Sequence, residues 1–220
     1  MKHKLPYSSR AAITLSMLLC FCITLQSTGQ NAPPQAALRF ANACAISTKV
    51  LFTNDTRKVR PDGFGPGEYT GAFGTPAGSH RLALSAPGAK SVEVTIMLQP
   101  NTATTMIAFV KPVLDPNTRQ TTLQLQLFSQ QDAAREKGKH FFLLYVSPRP
   151  AVDVVVNGQP KNVPALRQIK VDDLAPGNIK IESSGKEIVN FAAQQNGNFL
   201  AIIFDKPDST LTGMLLPDYD

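Results

Sequence analysis

Tryptophan is missing from this 220-residue chain, and histidine and cysteine occur only three times each. Each scarcity excludes something. A sugar-stacking platform would have to come from Phe64, Tyr69, Phe73 and Tyr145, which read more simply as core aromatics. His80 and His140 lie far apart, whereas a metal site wants His, Cys or carboxylate ligands at short spacing. Cys20 and Cys22 fall in a segment that reads as removable, so Cys44 would be left alone. No intramolecular disulfide is then available, even in an oxidising compartment, and stability must come from packing. Cys44 sits in an alternating run and reads as a small buried hydrophobe. A long helical pattern is also lacking. Only Ala133 to Lys137, inside a polar stretch, has helix-forming composition, and isolated helices this short are marginal.

The N-terminus is distinctive. Lys2, Lys4 and Arg10 precede an uncharged run from Ala11 to Leu25, and Ser27 and Gly29 supply small residues at a cleavage site. This is the pattern of a secretory signal, with the mature chain starting near Gln30. The apolar run is shorter than the roughly 20 residues of a spanning helix. Leu19 and Phe21 precede the signal cysteines where a lipid-anchor motif needs a small residue. The expectation is an exported protein, periplasmic or extracellular, without membrane insertion after cleavage. Losing the signal takes the 22 basic residues to 19, against 16 acidic ones. The remaining charge is dispersed, which excludes the basic face of a nucleic-acid binder.

What is present is repetition. Residues 39–53 and 143–157 share an apolar, β-branched pattern when Val50 is set over Val154. Asn101 precedes Phe109 as Asn196 precedes Phe204, and each Phe is followed by x-Lys-Pro. The turn Pro76-Ala77-Gly78 matches Ala175-Pro176-Gly177, and Asn157-Gly158 is a strong hairpin signal. Short strands between Gly/Pro turns indicate sandwiches or open barrels, and two copies mean two domains rather than a solenoid. The expected fold is all-β: two tandem antiparallel β-sandwich domains, 36–130 and 140–220, after a signal at 1–29 and joined by a linker at 131–139.

Catalytic patterns are thin. Ala77-Gly78-Ser79-His80 lacks the second glycine of a nucleophile elbow and reads as a turn serine beside a surface histidine. Asp172-Asp173 and Asp218/Asp220 lack the spacing of a calcium loop. Gly63, Gly65 and Gly67 have no Lys-Ser/Thr after them, so their segment reads as a mobile loop. Asn54-Asp55-Thr56 fits the glycosylation triplet but carries little weight. No catalytic residue, cofactor or metal is expected. The loop from Arg60 to Tyr69 is longer than its counterpart at 161–167, and loops on rigid scaffolds commonly carry function. Arg60, Phe64, Glu68 and Tyr69 are therefore the candidate partner-binding residues.

The run from Leu144 to Gly158, with Ser147-Pro148 and Pro150-Ala151-Val152-Asp153, resembles the opening of a bacterial secreted β-sandwich repeat family of unknown function. The layout of an export signal and two β domains, with Arg39 to Ala43 opening the first and Gly-led strands at Gly78 and Gly177, is similar to the F-type accessory proteins of alginate O-acetylation. That resemblance implies a non-enzymatic envelope accessory protein that contacts protein partners or a polysaccharide during exopolysaccharide modification. A secreted binding or adhesion module is the alternative.

Overall fold

Sixteen strands and no helix make up the described residues of the computed structural model, 33–116, 119–131, 139–171, 177–193 and 197–217. The expected signal, nearly all of the expected linker and the acidic pairs at 172–173 and 218/220 lie outside them. The first eight strands are β1 (Gln35–Asn42), β2 (Leu51–Asn54), β3 (Arg57–Lys58), β4 (Phe73–Pro76), β5 (Gly78–Ala86), β6 (Ala89–Leu98), β7 (Ala103–Leu114) and β8 (Thr121–Gln131). The next eight are β9 (Lys139–Val146), β10 (Ala151–Val156), β11 (Gln159–Pro164), β12 (Ile169–Val171), β13 (Gly177–Ser183), β14 (Lys186–Ala193), β15 (Gly197–Asp205) and β16 (Leu211–Leu216).

The first eight form one mixed sheet in the order β3-β2-β5-β6-β8-β7-β1-β4. The second eight form two sheets, β11-β10-β13-β14 and β12-β9-β15-β16. Cutting the first sheet between β6 and β8 leaves two four-strand orders that recur in the second half, strand for strand. That joint is slight: Ala89 pairs with Leu123 and Lys90 with Gln124. It exists because β8 has 11 residues and β16 only 6. Leu125 faces Val110 as Leu211 faces Asp205, so Leu123 and Gln124 lie on an extension of β8 that β16 lacks.

Three apolar clusters stack between the layers. The first sheet curls around Leu38, Phe40, Phe52, Leu82, Leu84, Met106 and Leu125. The two sheets of the second half enclose Leu143, Tyr145, Val156, Ile179, Ile181 and Ile203. Between the halves, Ala41, Ala43, Ile107 and Phe109 meet Phe142, Leu144, Leu200, Ile202 and Phe204. Strands β1, β7, β9 and β15 are therefore covered on both faces, and the apolar runs of β7, β9 and β15 are continuous (MIAFV, FFLLYV, FLAIIF) rather than alternating.

The expected purely antiparallel arrangement is corrected here. The pairs β1·β7 and β9·β15 are parallel. These are the doubly covered strands, which is where parallel pairing is found; apolar content reveals burial but not direction. A second correction concerns alignment. Phe40 pairs with Met106 and Leu143 with Ala201. Because Phe109 and Phe204 occupy matching places, Phe40 corresponds to Leu143. The gapless match of Val50 to Val154 puts Phe40 over Leu144 instead, one residue out, and such a slip exchanges the two faces of a strand.

Candidate functional site

The hairpin β2–β3 turns through Asp55, at φ 54°, and β10–β11 turns through Asn157, at φ 47°. Both turns are clamped to the neighbouring strand in the same way. Asp55 N–H donates to the Arg81 carbonyl at 2.7 Å, and Asp55 Oδ1 accepts the Arg81 N–H at 2.9 Å. Asn157 repeats both bonds with Lys180, at 2.9 and 2.7 Å. The shared clamp fixes the correspondence of side chains around it. Asn54 stands where the second half has Val156, and His80 where it has Ile179. Val156 and Ile179 are fully buried core residues. At these two positions the first half has polar residues and the second apolar ones.

Those two positions border a cleft of about 540 Å³ between β3, β4 and β5, whose walls include Asn54, Arg57, Lys58, Phe73, Thr75 and His80. Its size falls in the range of small-molecule sites. His80 is buried in mid-strand, not on the surface as the sequence suggested. Its Nδ1 lies 3.0 Å from Asp55 Oδ2 and its Nε2 2.8 Å from the Pro76 carbonyl. Each ring nitrogen therefore faces an oxygen acceptor. Asp55 is held below the ordinary aspartate value, chiefly by the Arg81 N–H and further by His80. Ser79 points to the opposite, solvent face of β5, so Ser79 and His80 do not form a catalytic pair. Asn54 Oδ1 is shut away from solvent and has no hydrogen-bond partner among the described residues. Phe73 stacks on Phe40 at 6.0 Å between centroids and gives the cleft an apolar side. Arg57 and Lys58 are exposed on the edge strand β3.

The second half carries its own polar network at the Ser-Pro segment. Asp205 Oδ2 accepts from Ser147 Oγ at 2.6 Å and from Tyr145 Oη at 3.2 Å, and Arg149 pairs with Asp205 Oδ1. By the same register, Ser147 and Asp205 correspond to Cys44 and Val110, both buried in the first core. The hydrogen-bonded pair of one half is an apolar pair in the other. Cys44 is a free, buried thiol whose pKa burial pushes up, consistent with packing rather than nucleophilic chemistry.

The sequence-predicted residues are brought together, but not as a free surface. Phe64 is 3 % exposed and packs edge-on to Phe52 in the first core. Arg60 lies over its ring at 5.3 Å and pairs with Glu68 at 2.8 Å. Glu68 also accepts the Gly65 N–H, the main reason its carboxyl is held below the usual range. Of the four, Tyr69 is a large apolar side chain left exposed, at 39 %. The segment itself is not the mobile loop expected from its glycines. Phe64 exchanges backbone bonds with Val50, and Gly67 and Glu68 bond to Asn42. Gly63 adopts φ 72°, and a Cβ there would meet the Val50 carbonyl at 2.8 Å.

Sequence reading missed Asn54, Arg57, Lys58 and His80. A signal existed: the turn match of Gly78 to Gly177 already sets His80 over Ile179. The gapless alignment hid its partner, because it sets Asn54 over Gly158. Compared with known proteins, the chain matches no family model and no curated protein.

Proposed function

We propose that the chain is a non-enzymatic exported binding protein of the cell envelope, built from two tandem sandwiches of one duplicated unit, with its recognition site in the cleft of the first. The recurring strand order and the shared hairpin clamp support the duplication. So do the matching left-handed positions Gly78 and Gly177, at φ 131° and 127°. The observation that carries the binding reading is the exchange of Val156 and Ile179 for Asn54 and His80. A polar group at a core position costs stability unless it is satisfied, and here His80 has a partner at each ring nitrogen while Asn54 Oδ1, on a residue lining the cleft, has none among the described residues. Such cost without packing gain marks a site. With both His80 nitrogens engaged and Ser79 turned away, the cleft offers fixed donors and acceptors rather than a nucleophile.

The resemblance to alginate O-acetylation accessory proteins supports a narrower role, assisting exopolysaccharide O-acetylation through protein–protein contacts. Deleting the gene and measuring polymer yield and acetyl content tests it. Polymer still made but stripped of acetyl groups is the expected result; unchanged acetylation overturns the role. The cleft also favours the alternative of a surface binding or adhesion module, since ligand capture needs no biosynthetic partner. In that case deletion lowers surface attachment and leaves acetylation intact.

A further inference from the structure

Resting on the reading of the cleft as a recognition site, we infer that its ligand is an anionic sugar, a polyhydroxylated ring bearing a carboxylate or phosphate. Arg57 and Lys58 sit together on the rim, and neither has an acidic partner among the described residues. Asp55, the one carboxylate among the cleft's walls, offsets one of the two cations and leaves the lining net positive, and a net positive concave site concentrates negative charge there. Deeper in, Asn54 lines the cleft and its Oδ1 is an acceptor without a donor among the described residues; a turn of that side chain on binding would offer it to a ligand hydroxyl and supply the bond it lacks. Thr70 lines the same cleft; its Oγ1 accepts the Phe40 N–H at 2.9 Å, which leaves its own hydrogen to donate. The half-buried Phe73 ring gives the apolar side against which C–H faces of a sugar ring pack. An acceptor-rich, cation-free site would suit a neutral glycan, and a wholly apolar one a lipid. This combination suits a ring with both hydroxyls and negative charge.

The test is calorimetric titration of the full mature chain with three probes: an oligogalacturonate, a hexose 6-phosphate and a neutral cello-oligosaccharide. Backbone amide shifts at Arg57, Lys58 and Thr75 are followed in parallel. Binding of either anionic probe, with no binding of the neutral one, is expected, and the oligogalacturonate and phosphate arms separate the two anion sources. Affinity should fall tenfold or more in R57A/K58A and as salt is raised, because exposed charges are screened. It should vanish in N54V/H80I, which installs the second half's own core residues at these positions, the variant's amide spectrum checking that the fold is kept. Equal binding of the neutral probe in the cleft overturns the anion inference and spares the recognition site. Anion binding that N54V/H80I leaves untouched places the ligand elsewhere and overturns both. Failure of all three probes overturns the inference.

Discussion

His80 illustrates how one side chain is held by what surrounds it. Its two bonds tie β5 to the β2–β3 turn and to the end of β4. The second half shows that asparagine can serve at the turn, since Asn157 keeps both backbone bonds. Asp55→Asn should therefore preserve the clamp and lose only the charge facing His80. The Asp55 side chain is 52 % exposed, so solvent screening limits the loss to under about 1 kcal/mol. A carboxyl whose folded pKa is lowered contributes stability above its unfolded value and loses it as pH falls through the folded one. The gap between wild type and Asp55→Asn should thus be present at neutral pH and close below the ordinary aspartate value of 3.8. Urea denaturation on both sides of that value checks it; a gap independent of pH would mean that the charge contributes nothing.

Strands and turns were the more legible level. The alternation of Leu123, Leu125 and Leu127 with glutamines marks β8, and Asn157-Gly158 marks the β10–β11 hairpin, where both residues adopt positive φ. The short apolar runs Ile169–Val171 and Leu211–Leu216 form β12 and β16. β11 runs into the segment 161–167 read from sequence as a loop, and Pro160 and Pro164 do argue against a strand there. It forms as a sheet edge paired only to β10, where a residue without an N–H is tolerated. The segment from Arg60 to Thr70 misled for a different reason. Its glycines signal flexibility in isolation, yet Gly63 is needed for close approach to Val50, and Phe64 anchors the segment in the core. Phe64→Ala should accordingly cost about 3–5 kcal/mol, as for a buried core phenylalanine. A loss below about 1 kcal/mol in equilibrium unfolding would return the segment to the periphery.

Taken as a whole, the chain hid the contact between its halves. The repeated endings pointed to two copies, but nothing in an apolar run says whether its second face meets its own sheet partner or the other half. Phe109 and Phe204 look like ordinary core residues in sequence, and both belong to the cluster between the halves. That shared cluster predicts cooperative behaviour. Ile107 is fully buried within it, so Ile107→Glu strands an unpaired charge in apolar surroundings, at a cost of about 3 kcal/mol or more. Scanning calorimetry should show the whole transition shifted downwards. Two separated transitions, with only one displaced, would mean that the halves unfold independently.

The parallel pairing also sets a timetable. β1 can join its sheet only when β7 has been made, and β9 must likewise wait for β15, since Ala37 faces Ala103 and Phe141 faces Phe199. A chain emerging from its N-terminus can pair β1 early only with the four-residue β4, and β9 only with the three-residue β12, while the intervening hairpins form, and such distant closure is slow. During that interval the most apolar strands of each half are uncovered on both sides, the state in which chains stick to one another. A chain built this way gains from a holding chaperone during synthesis, and its refolding yield in dilute buffer should drop as protein concentration rises.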